Sequence, residues 1–151
     1  MLIALPLHIL AAIIWVGGMF FAYMILRAVA ASLLEPPARL ALWSQVFKRF
    51  FPWVWAAIIV LLSSGLWMTF VEFGGMKNAG KHIHLMLTLG IIMMLLFLHL
   101  FFAYYRKLNT ALAAKDIPAA EQQLNKIRRM VGVNLILGLV TAVVASAGRF
   151  I

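Results

Sequence analysis

The sequence has no cysteine and only four acidic residues. Without cysteine, disulfide bonds, thiolate metal sites and a cysteine nucleophile are excluded. No acidic side chain lies inside any of the long apolar runs, and Glu72, at the end of one of them, comes closest. Paired-carboxylate hydrolysis and proton-driven transport are therefore not expected. The sequence also contains no P-loop and no nucleophile elbow, which argues against the enzyme classes that depend on those motifs.

Hydrophobic residues make up 66% of the 151 residues, and charged residues only 11%. A soluble domain of this size cannot bury that much apolar surface, because its surface is too large relative to its interior. The apolar residues form continuous runs, each about as long as the ~20 residues that a helix needs to cross a bilayer. We therefore predict an all-α integral membrane protein, a four-transmembrane-helix bundle forming one domain over residues 1–151. The spans are expected at about 3–26, 52–72, 83–105 and 130–148.

The segment between the first two spans is predicted to be an amphipathic helix. Pro36 and Pro37 suit the first turn of a helix. Apolar residues then recur at helical spacing from Leu40 to Phe50, with basic residues beside them. This pattern is typical of a helix that lies on the membrane surface. We expect it to lead through Pro52 into the second span.

The segment between the third and fourth spans is long and polar. Asp116 is a good N-cap, and apolar residues continue at helical spacing after it. We expect helices 3 and 4 to have cytoplasmic helical extensions, joined in a hairpin that turns near Lys115–Asp116.

The distribution of charge predicts the orientation in the membrane. Ten of the thirteen Lys and Arg residues lie in the first and third connecting segments, and Lys77, Lys81 and Arg149 lie on the opposite side. Basic residues accumulate on the cytoplasmic side of membrane proteins. We predict a bacterial-type inner (plasma) membrane, with both termini on the periplasmic side. The same rule accounts for the formal net charge of +9, so no nucleic-acid partner is expected.

The histidines are the main candidate ligands, because an ionisable side chain within a span is costly and is by default a functional residue. His8 lies near the outer end of the first span, and His82 and His84 lie at the outer end of the third. His99 is fifteen residues beyond His84, so ~22 Å deeper. His8 facing His84 or His82 across the bundle could bind a haem iron axially or bind copper.

Each of these residues also has a simpler interpretation. His8 and His84 could be hydrogen-bonded packing residues, and His82, beside Lys81, could be a solvated interface residue. His99 has no histidine at its depth on another span, so a second ligand there would have to be Tyr23, Met24 or none. Ser63 and Ser64 are interpreted as helix-packing residues.

Trp15 shares a stripe of the first span with His8 and Met19, and we take it as a candidate cofactor-binding residue. Arg27, at the inner end of this span, is interpreted as a positive-inside anchor. Its alternative role is to pair with a propionate or another anionic head group. Stripes of small residues in the first and fourth spans are compatible with a homodimer.

The run from His8 through Trp15 to Gly18-Met19-Phe20, followed by Arg27, resembles the first helix of the copper-resistance D (CopD-type) membrane protein family. It also resembles the related HemJ-type protoporphyrinogen oxidases. His82-Ile-His84-Leu is similar to a His-x-Lys-Leu element of those oxidases, with His84 in place of the lysine. Arg128-Arg129 and Asn134 are loosely similar to an Arg-x-x-Asn-Glu element, with Leu135 in place of the acid. The resemblance implies a four-helix inner-membrane protein that binds b-type haem or copper on its outer side.

Three functions follow as hypotheses. In the first, the protein binds haem b through His8 and His84, and it transfers electrons or acts as an oxidoreductase with a quinone, a porphyrinogen or a small oxidant. In the second, His8, His82 and His84, with Met76 or Met86, collect copper from the periplasm for binding or uptake. In the third, the protein is a structural or assembly partner whose histidines only satisfy hydrogen bonds.

Overall fold

The computed structural model describes the backbone of residues 1–150 and all their side chains but the one at position 149. This part of the chain contains helices and no strands. Four long helices are apolar enough to cross a membrane: α1, Ala4–Leu33; α2, Pro36–Glu72; α3, Lys81–Ala113; and α4, Ile117–Ala147. Each predicted span falls within one of them, to within a residue. The four-helix membrane bundle is therefore confirmed.

The helices pack as two neighbouring pairs, α1 with α2 and α3 with α4, and α4 also contacts α1 and α2. The middle of the bundle is aromatic. Phe51 stacks on Phe47, with ring centroids 5.0 Å apart, and meets the edges of Phe97 and Tyr105. Outward-facing side chains are also apolar, and Ile13, for example, is 62% exposed. An apolar core inside an apolar outer surface is the pattern that lipid requires.

The prediction of a membrane-surface helix before the second span is wrong. Residues 36–50 are the first part of α2, which continues through Pro52 without a break. Their apolar face is buried inside the bundle, since Leu40, Trp43 and Phe47 are at most 5% exposed. An amphipathic pattern indicates that the apolar face of a helix is buried. Here it is buried against the other helices of the bundle instead of against lipid.

The helical extensions of α3 and α4 are confirmed. α3 ends at Ala113, and α4 begins at Ile117. The Asp116 side chain caps α4 by accepting a hydrogen bond from the backbone N–H of Ala119, at 3.1 Å. Lys115 takes a positive φ of 55° in the tight turn between the two helices.

The bundle has two chemically different ends. We call residues 1–8, 68–84 and 145–150 the terminal end, and residues 27–49 and 106–129 the basic end. α2 and the α3–α4 hairpin meet at the basic end, where Arg39 forms an ion pair with Glu121 at 3.3 Å. Ser44 donates a hydrogen bond to Asn109 nearby, at 3.5 Å.

Candidate metal site at the terminal end

His8 faces α2 in the structure. Its Nδ1 lies 2.9 Å from the hydroxyl oxygen of Ser64. His8 is half-buried, and Ser64 is buried. The sequence predicts that His8 faces the third span, but α1 packs most closely on α2. The first partner of the imidazole is therefore a serine from that helix.

The hydrogen bonds of Ser64 are compatible with the imidazole tautomer that a metal ligand needs. The hydroxyl has one proton, and it donates this proton to the carbonyl oxygen of Val60, 2.5 Å away. In that arrangement the hydroxyl oxygen accepts from the Nδ1–H of His8. In a neutral imidazole the lone pair consequently sits on Nε2, which is a common ligand atom for metals. Orientation of a ligand histidine through a hydrogen bond at its other nitrogen is a recurrent feature of metal sites.

Gly65 leaves space for this imidazole. A Cβ atom at position 65 would lie 3.3 Å from Cε1 of His8, which is a tight contact. Ser64 and Gly65 are functional candidates that the sequence analysis missed. The Ser63-Ser64-Gly65 run is a visible signal, but small residues within a span are usually explained by helix packing alone.

His82 and His84 lie in the first turn of α3 and face different surroundings. His82 is half-buried and packs against the backbone at Gly148, the residue after α4, and against Gly80. The His84 side chain is exposed. The terminal end thus carries three histidines from two helices. In the part of the chain that the structure describes, no three of its His, Asp and Glu residues form a cluster that could hold a metal ion.

His99 is separate from these three. Its exposed ring lies edge-on to Tyr104, with ring centroids 5.0 Å apart, and Lys126 lies 5.6 Å above the same tyrosine ring. Tyr23, one of the possible second ligands beside His99, has its ring under the guanidinium of Arg27, 4.1 Å away.

Trp15 and Arg27 both line a cavity in the middle of the bundle. We call it the central chamber, and it is bounded by side chains from all four helices, among them Trp15, Arg27, Trp43, Phe97 and Asn134. Trp15 is buried, and its ring meets Phe97 edge-on at 6.4 Å. The structure therefore divides the predicted site residues between the terminal end and this chamber.

The fold defines an integral membrane protein of the four-helix class, with three histidines at one end. The family model for copper resistance protein D (CopD) matches residues 44–147, which is more than half of the chain. The chain belongs to the CopD family, as the resemblance predicted. The match excludes α1, so the motif from His8 to Phe20 lies outside it. No curated protein and no solved structure matches the chain.

Proposed function

We propose that this CopD-family protein binds copper at its terminal end, with Nε2 of His8 as a ligand. The observation that carries the proposal is the hydrogen bond between His8 and Ser64, because it holds the imidazole in place and, with Nδ1–H as the donor, leaves the Nε2 lone pair available. Imidazole is a ligand that suits copper. The description of the matched family, copper resistance protein D, points to the same metal.

His82 and His84 would provide further ligands. Both lie at the same end of the bundle as His8, and the exposed side chain of His84 is placed to meet an incoming ion. Met76 and Met86 lie near them in the chain, and thioethers suit Cu(I). Copper is in this proposal a transported or delivered ion, which the terminal end collects.

We propose that the terminal end faces the periplasm of a bacterial-type inner membrane. The support is the charge distribution, since ten of the thirteen Lys and Arg residues lie at the basic end. The positive-inside rule assigns such an end to the cytoplasm.

A second candidate function is the binding of haem b, with a redox or oxidoreductase role towards a quinone or a porphyrinogen. It is favoured by an apolar groove between α1 and α2, the two helices that carry His8 and Ser64. The groove is lined by Leu7, Leu10, Ala11, Ile14 and Trp53, with three further apolar residues of α2. Histidine and an apolar surround are what haem binding uses.

One set of measurements separates the two functions. The full chain is purified in detergent, its copper content is measured after Cu(I) loading, and its visible spectrum is recorded after expression with added haem. We expect stoichiometric copper that is lost in His8→Ala and reduced in the double variant His82→Ala/His84→Ala. His99→Ala is the matched control and should keep its copper.

Two results would overturn the copper proposal. One is the absence of copper binding by a folded protein. The other is equal copper binding by the His8→Ala and His99→Ala variants. A Soret band that disappears in His8→Ala would establish the haem function in its place.

A further inference from the structure

Along one flank of the bundle, α2 and α3 meet through side chains at two levels. At the basic end, Ser44 of α2 donates a hydrogen bond to Asn109 of α3, at 3.5 Å. Nearer the middle of the bundle, the ring of Trp55 meets the ring of Phe102, with centroids 6.1 Å apart. Because both contacts join the same two helices, they bracket the residues of α2 and α3 that lie between them.

Lys48 and Arg106 lie in this bracketed stretch. Lys48 comes four residues after Ser44, and Arg106 comes three residues before Asn109. Residues at these spacings share a helix face, so each cation lies one turn closer to the middle of the bundle than the hydrogen-bonded pair. Both are exposed, and the guanidinium of Arg106 lies 5.2 Å above the ring of Phe102. Two cations from different helices therefore lie on one flank at the same level.

That level corresponds to the head groups of the lipid. The predicted second span begins at about residue 52, four residues or about 6 Å after Lys48, and the predicted third span ends at residue 105, directly before Arg106. The head-group region extends roughly 5–8 Å beyond the hydrocarbon layer on each side. Next to the two cations, on the hydrocarbon side, Phe102 is 49% exposed and Trp55 is half-buried. The flank therefore presents positive charge at the depth of lipid phosphates and aromatic surface at the depth of acyl chains.

The two cations have no carboxylate partner. The ion pairs that the described residues form do not include Lys48 or Arg106. Glu121 is already in an ion pair, and the Asp116 side chain caps α4. Glu35 lies thirteen residues before Lys48, about 20 Å away along the chain of the helix. The positive charge of the flank is therefore left for an anion from outside the protein.

We propose that an anionic phospholipid binds along this flank, which we call the α2–α3 flank and define by Lys48, Trp55, Phe102 and Arg106. The phosphate contacts Lys48 and Arg106, and an acyl chain lies over Phe102 and Trp55. Clusters of basic residues beside membrane spans attract anionic lipids, and a guanidinium matches the geometry of a phosphate. The flank is at the opposite end from the histidines, so the proposal does not depend on copper or haem.

Competition between two lipids tests the charge of the head group. The full chain is purified in a neutral detergent and incubated with dioleoyl phosphatidylglycerol and dioleoyl phosphatidylcholine, and the bound lipids are measured by native mass spectrometry. The two lipids have the same acyl chains, but only phosphatidylglycerol carries a net negative charge. We expect phosphatidylglycerol to bind at least about tenfold more tightly, the effect of one charge-assisted hydrogen bond.

Two double variants with equal loss of charge locate the site. Lys48→Gln/Arg106→Gln removes both cations of the flank and should weaken binding of phosphatidylglycerol about tenfold. Arg49→Gln/Lys107→Gln is the matched control. It also removes one lysine and one arginine, from exposed neighbouring positions that a helix turns by about 100° to another face. The control should keep the affinity within about twofold, because a general attraction of lipid to the basic end would weaken equally in both.

A water-soluble head group tests the contribution of the acyl chain. Glycerol 3-phosphate carries the phosphate of the lipid without its chains. We expect that it does not displace phosphatidylglycerol at equal concentration, because it makes no contact with Phe102 and Trp55.

Three results would overturn the proposal: equal binding of the two lipids, equal loss of affinity in the two double variants, or displacement of the lipid by glycerol 3-phosphate at equal concentration. If Lys48→Gln/Arg106→Gln fails to fold, as judged by circular dichroism and gel filtration, single variants decide the test. Lys48→Gln is then compared with Lys107→Gln, and Arg106→Gln with Arg49→Gln, and equal effects within both pairs would again contradict the site.

Discussion

Asn134 of α4 donates a hydrogen bond to the backbone carbonyl oxygen of Met93 in α3, across 3.1 Å. Asn134 is buried, and the bond joins the helices of one pair within the apolar part of the bundle. A polar side chain inside a membrane bundle is retained where it can bond across helices. The bond holds α3 and α4 in one register at the wall of the central chamber.

Replacing Asn134 by leucine should lower the stability of the bundle modestly. Side-chain hydrogen bonds between membrane helices contribute on average about 0.6 kcal/mol and at most about 1.7 kcal/mol. The free energy of unfolding is measured in mixed micelles with increasing dodecyl sulfate. Val133→Leu, on the exposed side of α4, is the control and should change little. Equal effects of the two variants would contradict a role for the bond.

Removing the hydroxyl of Ser64 should weaken metal binding by His8. In Ser64→Ala the imidazole loses the hydrogen bond that orients it, and such losses typically reduce metal affinity about 10–100-fold. The measurement is a Cu(I) competition titration. Ser63→Ala is a close control, because Ser63 also donates to a carbonyl oxygen of its own helix but is exposed, and the hydrogen bond of His8 is to Ser64 instead. Equal affinities of the two variants would show that the hydrogen bond is irrelevant to the metal.

Adding a methyl group at Gly138 should separate α1 from α4. A Cβ atom there would lie 2.8 Å from a methyl carbon of Val16 and 3.1 Å from the terminal methyl of Met93. Overpacking of this kind typically costs about 1–3 kcal/mol. Gly17→Ala is the control, because nothing lies within 4 Å of that position, and it should stabilise the helix by roughly 0.5–1 kcal/mol. The measurement is the change in the free energy of unfolding for each variant relative to the unmodified protein. Changes of the same sign in Gly138→Ala and Gly17→Ala would contradict the close approach of α1 to α4 at Gly138.

The proposed orientation in the membrane can be tested by introducing single cysteines and labelling them, since the chain contains no cysteine. Asn78→Cys places a thiol in the exposed connection between α2 and α3, and Lys115→Cys places one in the turn between α3 and α4. A maleimide that does not cross membranes should label position 78 in intact spheroplasts and position 115 only after lysis. The reverse pattern would invert the topology.

The number and lengths of the helices could be predicted because lipid imposes them. Four apolar runs require four spans, and the cap at Asp116 is a local signal that needs no knowledge of neighbours. The pattern also predicted correctly that the apolar face of residues 36–50 is buried, but it did not predict that other helices bury it. Apolar residues at helical spacing look alike whether they face lipid or, as for Trp43 and Phe47, the other helices.

The neighbours of each helix were harder to predict. Helical periodicity places His8 and Trp15 on one stripe, but it does not tell which helix lies opposite, and the pairing of α1 with α2 brings Ser64 to His8. The π-helical segment at Phe21–Leu26 adds a second difficulty. It changes the angle between successive residues in the stretch from Trp15 to Arg27. The face of the helix on which Arg27 lies therefore cannot be found by counting at regular α-helical spacing. Both residues line the central chamber, which only the assembled bundle shows.

The continuous course of α2 through residues 36–50 also decides how far the molecule stands out of the bilayer. Its 37 residues extend about 55 Å at 1.5 Å per residue, whereas the hydrocarbon layer is about 30 Å thick. Roughly 25 Å of helix is therefore left over beyond the hydrocarbon layer, and the α3–α4 hairpin packs beside it at the basic end. We expect this end to remain accessible outside the detergent that covers the apolar spans. An antibody fragment raised against residues 106–129 would then add the mass that particle alignment needs in electron cryo-microscopy of so small a protein.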